Sequence, residues 1–442
     1  MSDVEFLLLA FEHIGLLTLL MLCGCFLLYF ATFRSGFGLA DPLHFFYAFT
    51  FGTSYGVVVL MAIEDRLSSD AVILIFGFGG LWLMGLWMGQ TIRLRPLVKA
   101  NSIGAMQDSQ RTLFALRRAL FLSGLLVGVY FAIVGSPFAV ESRFEANRGV
   151  GFIVRLLDPL RIILAGLLYS TTRDKSIFLR CLAFIYIIIL SLASGAKFAL
   201  LECGYAVWVT SQLMGPRIIK KRNHGKLRVI FLYLSAVLIA TIFVLVFLNF
   251  GSQAREAEEL GRTAYIDGLP LPLELLALRI IANADMYYLG LPNDTFFHAI
   301  LIHNPLAQFF GPLIGDSVMQ KLFDYPLADS EIGRQLWLYW YPGDPIMRGP
   351  TNHFDLVAYS HFGPFFGAIF CVVLGFCIGW LRRSMHRSYS LPGWKAALFA
   401  ALYIRVLVSL LSPSLSLAYV VDFSLVALFL TFRFILPRVK KV

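Results

Sequence analysis

The chain has 442 residues, 58% of them hydrophobic and 14% charged, with a mean hydropathy of +0.75. Soluble domains carry roughly a quarter charged residues, so the composition excludes an ordinary soluble protein and points to a polytopic helical membrane protein. The net charge of +10 is not a nucleic-acid signal, because the basic residues collect in short loops between apolar runs, as cytoplasmic loops do.

The predicted fold class is all-α, a membrane helical bundle. Apolar runs at 6–30, 43–63, 71–91, 119–136, 151–171, 177–194, 198–214, 229–249, 357–381, 394–411 and 415–435 predict eleven spans. Eight lie in an N-terminal part, 1–249, and three in a C-terminal part, 357–442. A long segment, 250–356, separates them. The first run has no basic leader and no small-residue cleavage site, and it contains Asp3, Glu5 and Glu12 in its approach. It is expected to stay as a helix.

With eleven spans, the basic loops 92–118, 172–176, 215–228 and 382–387 and the C-terminal tail all fall on one side. The positive-inside rule makes that side cytoplasmic. The acidic N-terminus and the long segment then lie outside. All six cysteines fall in apolar runs, and Cys23 and Cys25 have no second pair for a zinc site. No metal or cofactor motif is evident.

Ionisable residues inside spans are costly and are usually paired or functional. Arg155, Asp158 and Arg161 are spaced by three, so they share one helix face. They form either an ion pair facing the bundle or part of a functional site. Glu202 is a candidate partner for one of these arginines. Arg405 and Asp422 lie at matching depths on adjacent spans, which predicts that they pair. Glu12 and His13 read as a polar pair at a helix end.

Within the long segment, residues 271–289 suit an interfacial amphipathic helix. Residues 296–315 are apolar but broken by Asn304-Pro305 and Gly311-Pro312, which predicts a re-entrant or interfacial piece rather than a straight span. Arginines on this outer side are not explained by the topology rule. Arg143 and Arg148 precede the fifth span, and Arg279 lies on the predicted interfacial helix. A guanidinium grips phosphate oxygens in a bidentate fashion, so these could clamp a diphosphate; snorkelling at a helix end is the plainer alternative. Lys197 closes the turn Ser194-Gly195-Ala196-Lys197, as a cation at the bundle mouth or a hairpin anchor.

The densest cluster of chemistry runs from Trp337 to Gly363. Trp337, Tyr339, Trp340 and Tyr341 stand near Arg348, His353, Asp355, Tyr359 and His361. The aromatic rings suit stacking on sugars or an interfacial belt. An imidazole near neutrality can take a proton from a hydroxyl, and a carboxylate can do the same or orient the imidazole.

In this layout the chain resembles the O-antigen polymerase family of bacterial membrane glycosyltransferases. The shared features are the many spans, the dominant late outer segment, the loop with Arg143 and Arg148, and the Ser-Gly-basic turn. The Tyr359, Phe362, Gly363 opening of a late span, with Gly367 inside it, is similar too. Arg279 followed by Gly290 is similar to an arginine-to-glycine spacing in some members; Arg143 and Arg148 lack that spacing.

The resemblance implies that undecaprenyl-diphosphate-linked oligosaccharides are donor and acceptor at the periplasmic face of the inner membrane, with no cofactor and no metal. It further implies Arg143, Arg148, Arg279 and Lys197 on diphosphate, His353 or Asp355 as base, and Trp337, Tyr339, Trp340, Tyr341, Arg348, Tyr359 and His361 on sugar. Membrane lipid would be a further partner, and a chain-length regulator a candidate one. An O-antigen ligase is the neighbouring alternative. A secondary transporter, suggested by the charges inside the spans, and a scaffolding subunit are alternatives of other classes.

Overall fold

The computed structural model describes residues 1–33, 37–38, 40–92, 105–134, 150–173, 175–193, 197–215, 264, 266, 268–344, 348–386 and 390–435. The predicted span 229–249, the loop with Arg143 and Arg148, and the turn at 194–196 lie outside these residues. Among the described residues the structure is helical throughout, without strands.

The first elements are α1 (Asp3–Glu12), α2 (Ile14–Thr32), α3 (His44–Ile63), α4 (Ser69–Thr91) and α5 (Ala105–Val134). Then come α6 (Gly151–Thr172), α7 (Ile177–Ala193) and α8 (Lys197–Leu213). Among the described residues, seven helices are long and apolar enough to cross a bilayer: α2, α3, α4 and α5, with α16 (Phe354–His386), α17 (Gly393–Leu407) and α18 (Pro413–Ile435) near the C-terminus. Of the other predicted spans, α6 carries three charges and α7 and α8 have 17 residues each.

The predicted first span is not one helix. A capping box at Ser2 and Glu5 starts α1, and the helix breaks at His13, whose backbone is non-helical. His13 Nε2 lies 3.3 Å from Glu64 at the end of α3. The expected Glu12–His13 pair is therefore corrected: the imidazole turns to the carboxylate that α3 brings beside the joint. Farther along, α3 opens with a π-helical turn, His44–Phe49.

Close helix contact in lipid depends on small residues and van der Waals packing. The most extensive contact among the described helices, between α4 and α16, follows that rule. A side chain at Gly85 would strike the Val372 carbonyl, and one at Gly379 the Leu86 carbonyl. Gly24 and Gly52 allow the same approach between α2 and α3. The long helix α16 is not uniform. Gly363 has φ +69 and ψ −176, followed by Pro364, so the helix is broken there. That backbone region is essentially restricted to glycine.

Between the N- and C-terminal helices, the long segment folds into short helices. These are α9 (Leu271–Ile281), α10 (Asp285–Gly290), α11 (Thr295–Ala299), α12 (Pro305–Ile314), α13 (Asp316–Phe323), α14 (Leu327–Ser330) and α15 (Ile332–Trp340). The single helix expected over 271–289 is interrupted by a 3-10 turn at Ala282–Ala284.

Candidate functional site

The folded segment is fastened to the bundle by tyrosines and by α1. Tyr287 donates to Asp355 at 2.6 Å. Tyr288 stacks on Phe6 at 4.4 Å and donates to Asp3 at 2.7 Å, while Tyr341 donates to the other Asp3 oxygen at 2.8 Å. Ser54 of α3 donates to the Asn283 carbonyl at 2.9 Å. The approach to α16 runs tightly along α15, where Gly333 N donates to Asn352 at 2.7 Å and a side chain at Gly333 would strike the Pro350 carbonyl.

Trp337, Tyr341 and Arg348 come together at the surface. The Trp337 and Tyr341 rings are 4.3 Å apart, and the Arg348 guanidinium lies 5.0 Å over Trp337, a cation–π arrangement. Asp344 fixes both, accepting from Trp337 Nε1 at 2.8 Å and from Arg348 Nε at 2.7 Å. Buried Arg334 holds the turn by donating to the Asp344 carbonyl at 2.6 Å. Tyr339, 55% exposed, lies edge-on to Trp340 at 5.6 Å, and Trp340 donates to the Leu289 carbonyl. Tyr359 and His361 belong to a different neighbourhood: Tyr359 meets Phe297 at 5.4 Å, and His361 meets Phe309 at 5.7 Å.

His353 and Asp355 lie inside the protein. The His353 ring is fully buried, 4.8 Å from Phe51 and 4.9 Å from Tyr287, and neither ring nitrogen has a hydrogen-bond partner among the described residues. Burial among these rings pushes its pKa down to about 3, so the imidazole is neutral and keeps a free lone pair. Asp355 is equally buried and is occupied by Tyr287. It does not orient His353.

Arg279 is exposed on α9. Its charge acts on Asp285, whose pKa is pushed up to about 7, first by burial and further by the nearby Asp3 carboxylate; Arg279 and the Met286 and Thr351 amides oppose the rise. The backbone of Lys197 begins α8; its side chain, Arg143 and Arg148 fall outside the described positions.

The charges inside the spans pair with one another. Arg161 meets Asp158 at 3.1 Å and Glu202 at 2.7 Å, as the spacing and depth of these residues suggested. The expected Arg405–Asp422 pair is corrected. Arg405 pairs with Glu202 at 3.0 Å and lies over the Tyr419 ring, while Asp422 is taken bidentately by Arg155 at 2.9 and 3.0 Å. Matching depth does not fix which way a side chain faces around its helix. Three guanidinium and three carboxylate groups balance, so this cluster offers no net charge to an incoming diphosphate.

A second node was not anticipated. Asp41, just before α3, pairs with Arg382 at 2.9 Å, and both side chains are completely buried. Tyr403 donates to Asp41 at 2.9 Å, the Phe37 and Leu43 amides donate to the same carboxylate at 3.0 Å, and Arg382 donates to the Thr32 carbonyl at 2.6 Å. Arg382 is thus a buried helix residue and not part of a solvated basic loop. Asp-Pro at 41–42, a capping residue ahead of proline, was the available sequence signal for Asp41.

Among the described residues, no group of three His, Cys, Asp or Glu side chains is placed to hold a metal ion. No family model matches the chain, and comparison with characterised proteins and with solved structures gives no match.

Proposed function

We propose that the protein polymerises undecaprenyl-diphosphate-linked oligosaccharide repeat units into O-antigen or a related surface polysaccharide, at the periplasmic face of the bacterial inner membrane. The observation that carries the reading is the half-buried Trp337–Tyr341 ring pair with exposed Arg348 over it, on a folded segment fastened to a bundle of apolar helices. Aromatic faces beside a fixed cation suit a sugar carrying an anionic leaving group.

In the proposed reaction, an acceptor sugar hydroxyl attacks the anomeric carbon of the growing chain. A new carbon–oxygen bond forms, and the bond to diphosphate breaks with its electron pair on undecaprenyl diphosphate. Arg279 is the described cation available to that leaving charge, with Arg143, Arg148 and Lys197 as further candidates from sequence; holding the developing charge is the largest contribution expected. The hydroxyl proton would leave to solvent, because His353 is sealed behind Phe51 and Tyr287.

The test is the lipopolysaccharide pattern of a deletion strain complemented with variants. Wild type should restore the ladder, and Arg279→Ala and Arg348→Ala together should leave lipopolysaccharide capped by single repeats. A full ladder in that double variant removes the assignment. A deletion strain whose lipopolysaccharide carries no repeats at all indicates a ligase instead.

A further inference from the structure

Three consecutive residues of α10 reach three different elements. Tyr287 donates to Asp355 of α16, Tyr288 donates to Asp3 of α1, and the Leu289 carbonyl accepts from Trp340 of α15 at 2.9 Å. Asp3 ties two of these lines together, because its second oxygen accepts from Tyr341, the residue that follows α15.

Asp3 is itself held in place. The Ser2 hydroxyl accepts from Glu5 N at 3.3 Å, and the Glu5 carboxylate accepts from Ser2 N at 2.9 Å. This reciprocal cap fixes the first turn of α1. One turn on, Phe6 is fully buried, and its ring lies within 3° of parallel to that of Tyr288. The carboxylate is therefore presented from a capped and anchored turn.

Tyr341 has φ −129 and ψ 71, so the helix geometry of α15 does not dictate its direction. Its ring nevertheless lies against Trp337, the ring that Arg348 covers. Each ring is gripped at its polar edge by a carboxylate: Asp344 accepts from Trp337 Nε1, and Asp3 accepts from the Tyr341 hydroxyl. Hydrogen bonds to a carboxylate are stronger and more directional than the contact between two rings. The two anions therefore set the geometry, and the rings follow. Asp3 serves here despite its charge, which helps to raise the pKa of Asp285 to about 7. A neutral amide would avoid that repulsion, but only a carboxylate offers both oxygens as acceptors.

We propose that Asp3 is a positioning residue for the outer patch: through Tyr341 it fixes the ring that lies against Trp337, and so the seat on which Arg348 rests. The consequence for sugar binding rests on the proposed function. The positioning itself does not.

The test uses the full-length protein labelled with 5-fluorotryptophan. Among its seven tryptophans, the Trp337 and Trp82 fluorine resonances are assigned by Trp337→Phe and Trp82→Phe. Asp3→Ala should move the Trp337 resonance by more than its linewidth, because the Tyr341 ring turns beside it. The resonance of Trp82, buried on α4, should stay in place. Tyr341→Phe keeps the ring and loses the hydroxyl, so it should shift Trp337 in the same direction, and the double variant should shift it no further. If Asp3→Ala does not fold, Tyr341→Phe alone decides. An unmoved Trp337 resonance overturns the proposal. So does an equal movement of Trp82, which would mark general loosening. In the complemented deletion strain, Asp3→Ala should shorten the lipopolysaccharide ladder. A moved Trp337 resonance with a full ladder keeps the positioning and removes the sugar-binding reading of the patch.

Discussion

Tyr403 and Arg405 stand two residues apart on α17, about 200° around the helix axis, and each joins a different buried charge node. Tyr403 completes the Asp41–Arg382 pair, which is sealed from solvent. Arg405 joins Glu202, Arg161 and Asp158, a group open at one edge, where the Asp158 side chain is 22% exposed. Both nodes are neutral, but they are held differently. Asp41 gathers its donors from loop backbone, α16 and α17, so it locks segments distant in sequence. Glu202 bridges two arginines that would repel each other without it. Arginines near the ends of apolar helices are therefore not interchangeable topology markers: Arg382 and Arg405 are internal struts.

The largest expected effects come from removing the anion of each node. Breaking a buried pair leaves an uncompensated charge and costs about 3–5 kcal/mol. Asp41→Asn leaves Arg382 with the Thr32 carbonyl, and Glu202→Gln leaves Arg405 with the Tyr419 ring. Each should lower the thermal midpoint of the purified protein sharply. If α17 isolates the nodes, the two losses should add within about 0.5 kcal/mol; a larger coupling in the double variant would show that they act as one unit.

Next in size is Tyr403→Phe, which removes one hydrogen bond to a charged group and should cost about 1.5–3 kcal/mol. If the open node is weaker at its edge, Asp158→Asn should cost less than any of these, because Arg161 keeps its bond to Glu202. A loss equal to that of Glu202→Gln would contradict that ordering.

A pH-dependent effect sharpens the contrast with the outer segment, where Asp285 and Asp3 face each other with one arginine nearby. Because the folded pKa of Asp285 is raised, its ionisation opposes folding. The penalty begins above its ordinary value, near 4, and is complete above about 7. Stability should therefore rise as pH falls from 8 to about 5, and Asp285→Asn should flatten that slope and raise the midpoint at pH 8.

The helical architecture was legible because apolar runs of span length leave few options in lipid. A spacing of three placed Arg155, Asp158 and Arg161 on one helix face, and depth made Glu202 a partner for one of the arginines; which one was not legible. The partner of Arg405 was not, since depth along a helix says nothing about direction around it. Asp41 was hidden because a lone aspartate before a helix reads as a cap, and its arginine lies more than 300 residues away. His353 looked accessible because it precedes a span in a proline-rich stretch. Only the fold shows Phe51 and Tyr287 closing over it.

The glycine at 363 divides α16 into two pieces with different allegiances. Residues before it are tied to the outer helices through Tyr287–Asp355 and Phe297–Tyr359. Residues after it are locked to α4 along the glycine seam at 375 and 379. The break lets the outer nine residues leave the axis of the inner rod, so one helix serves both the outer segment and the seam with α4.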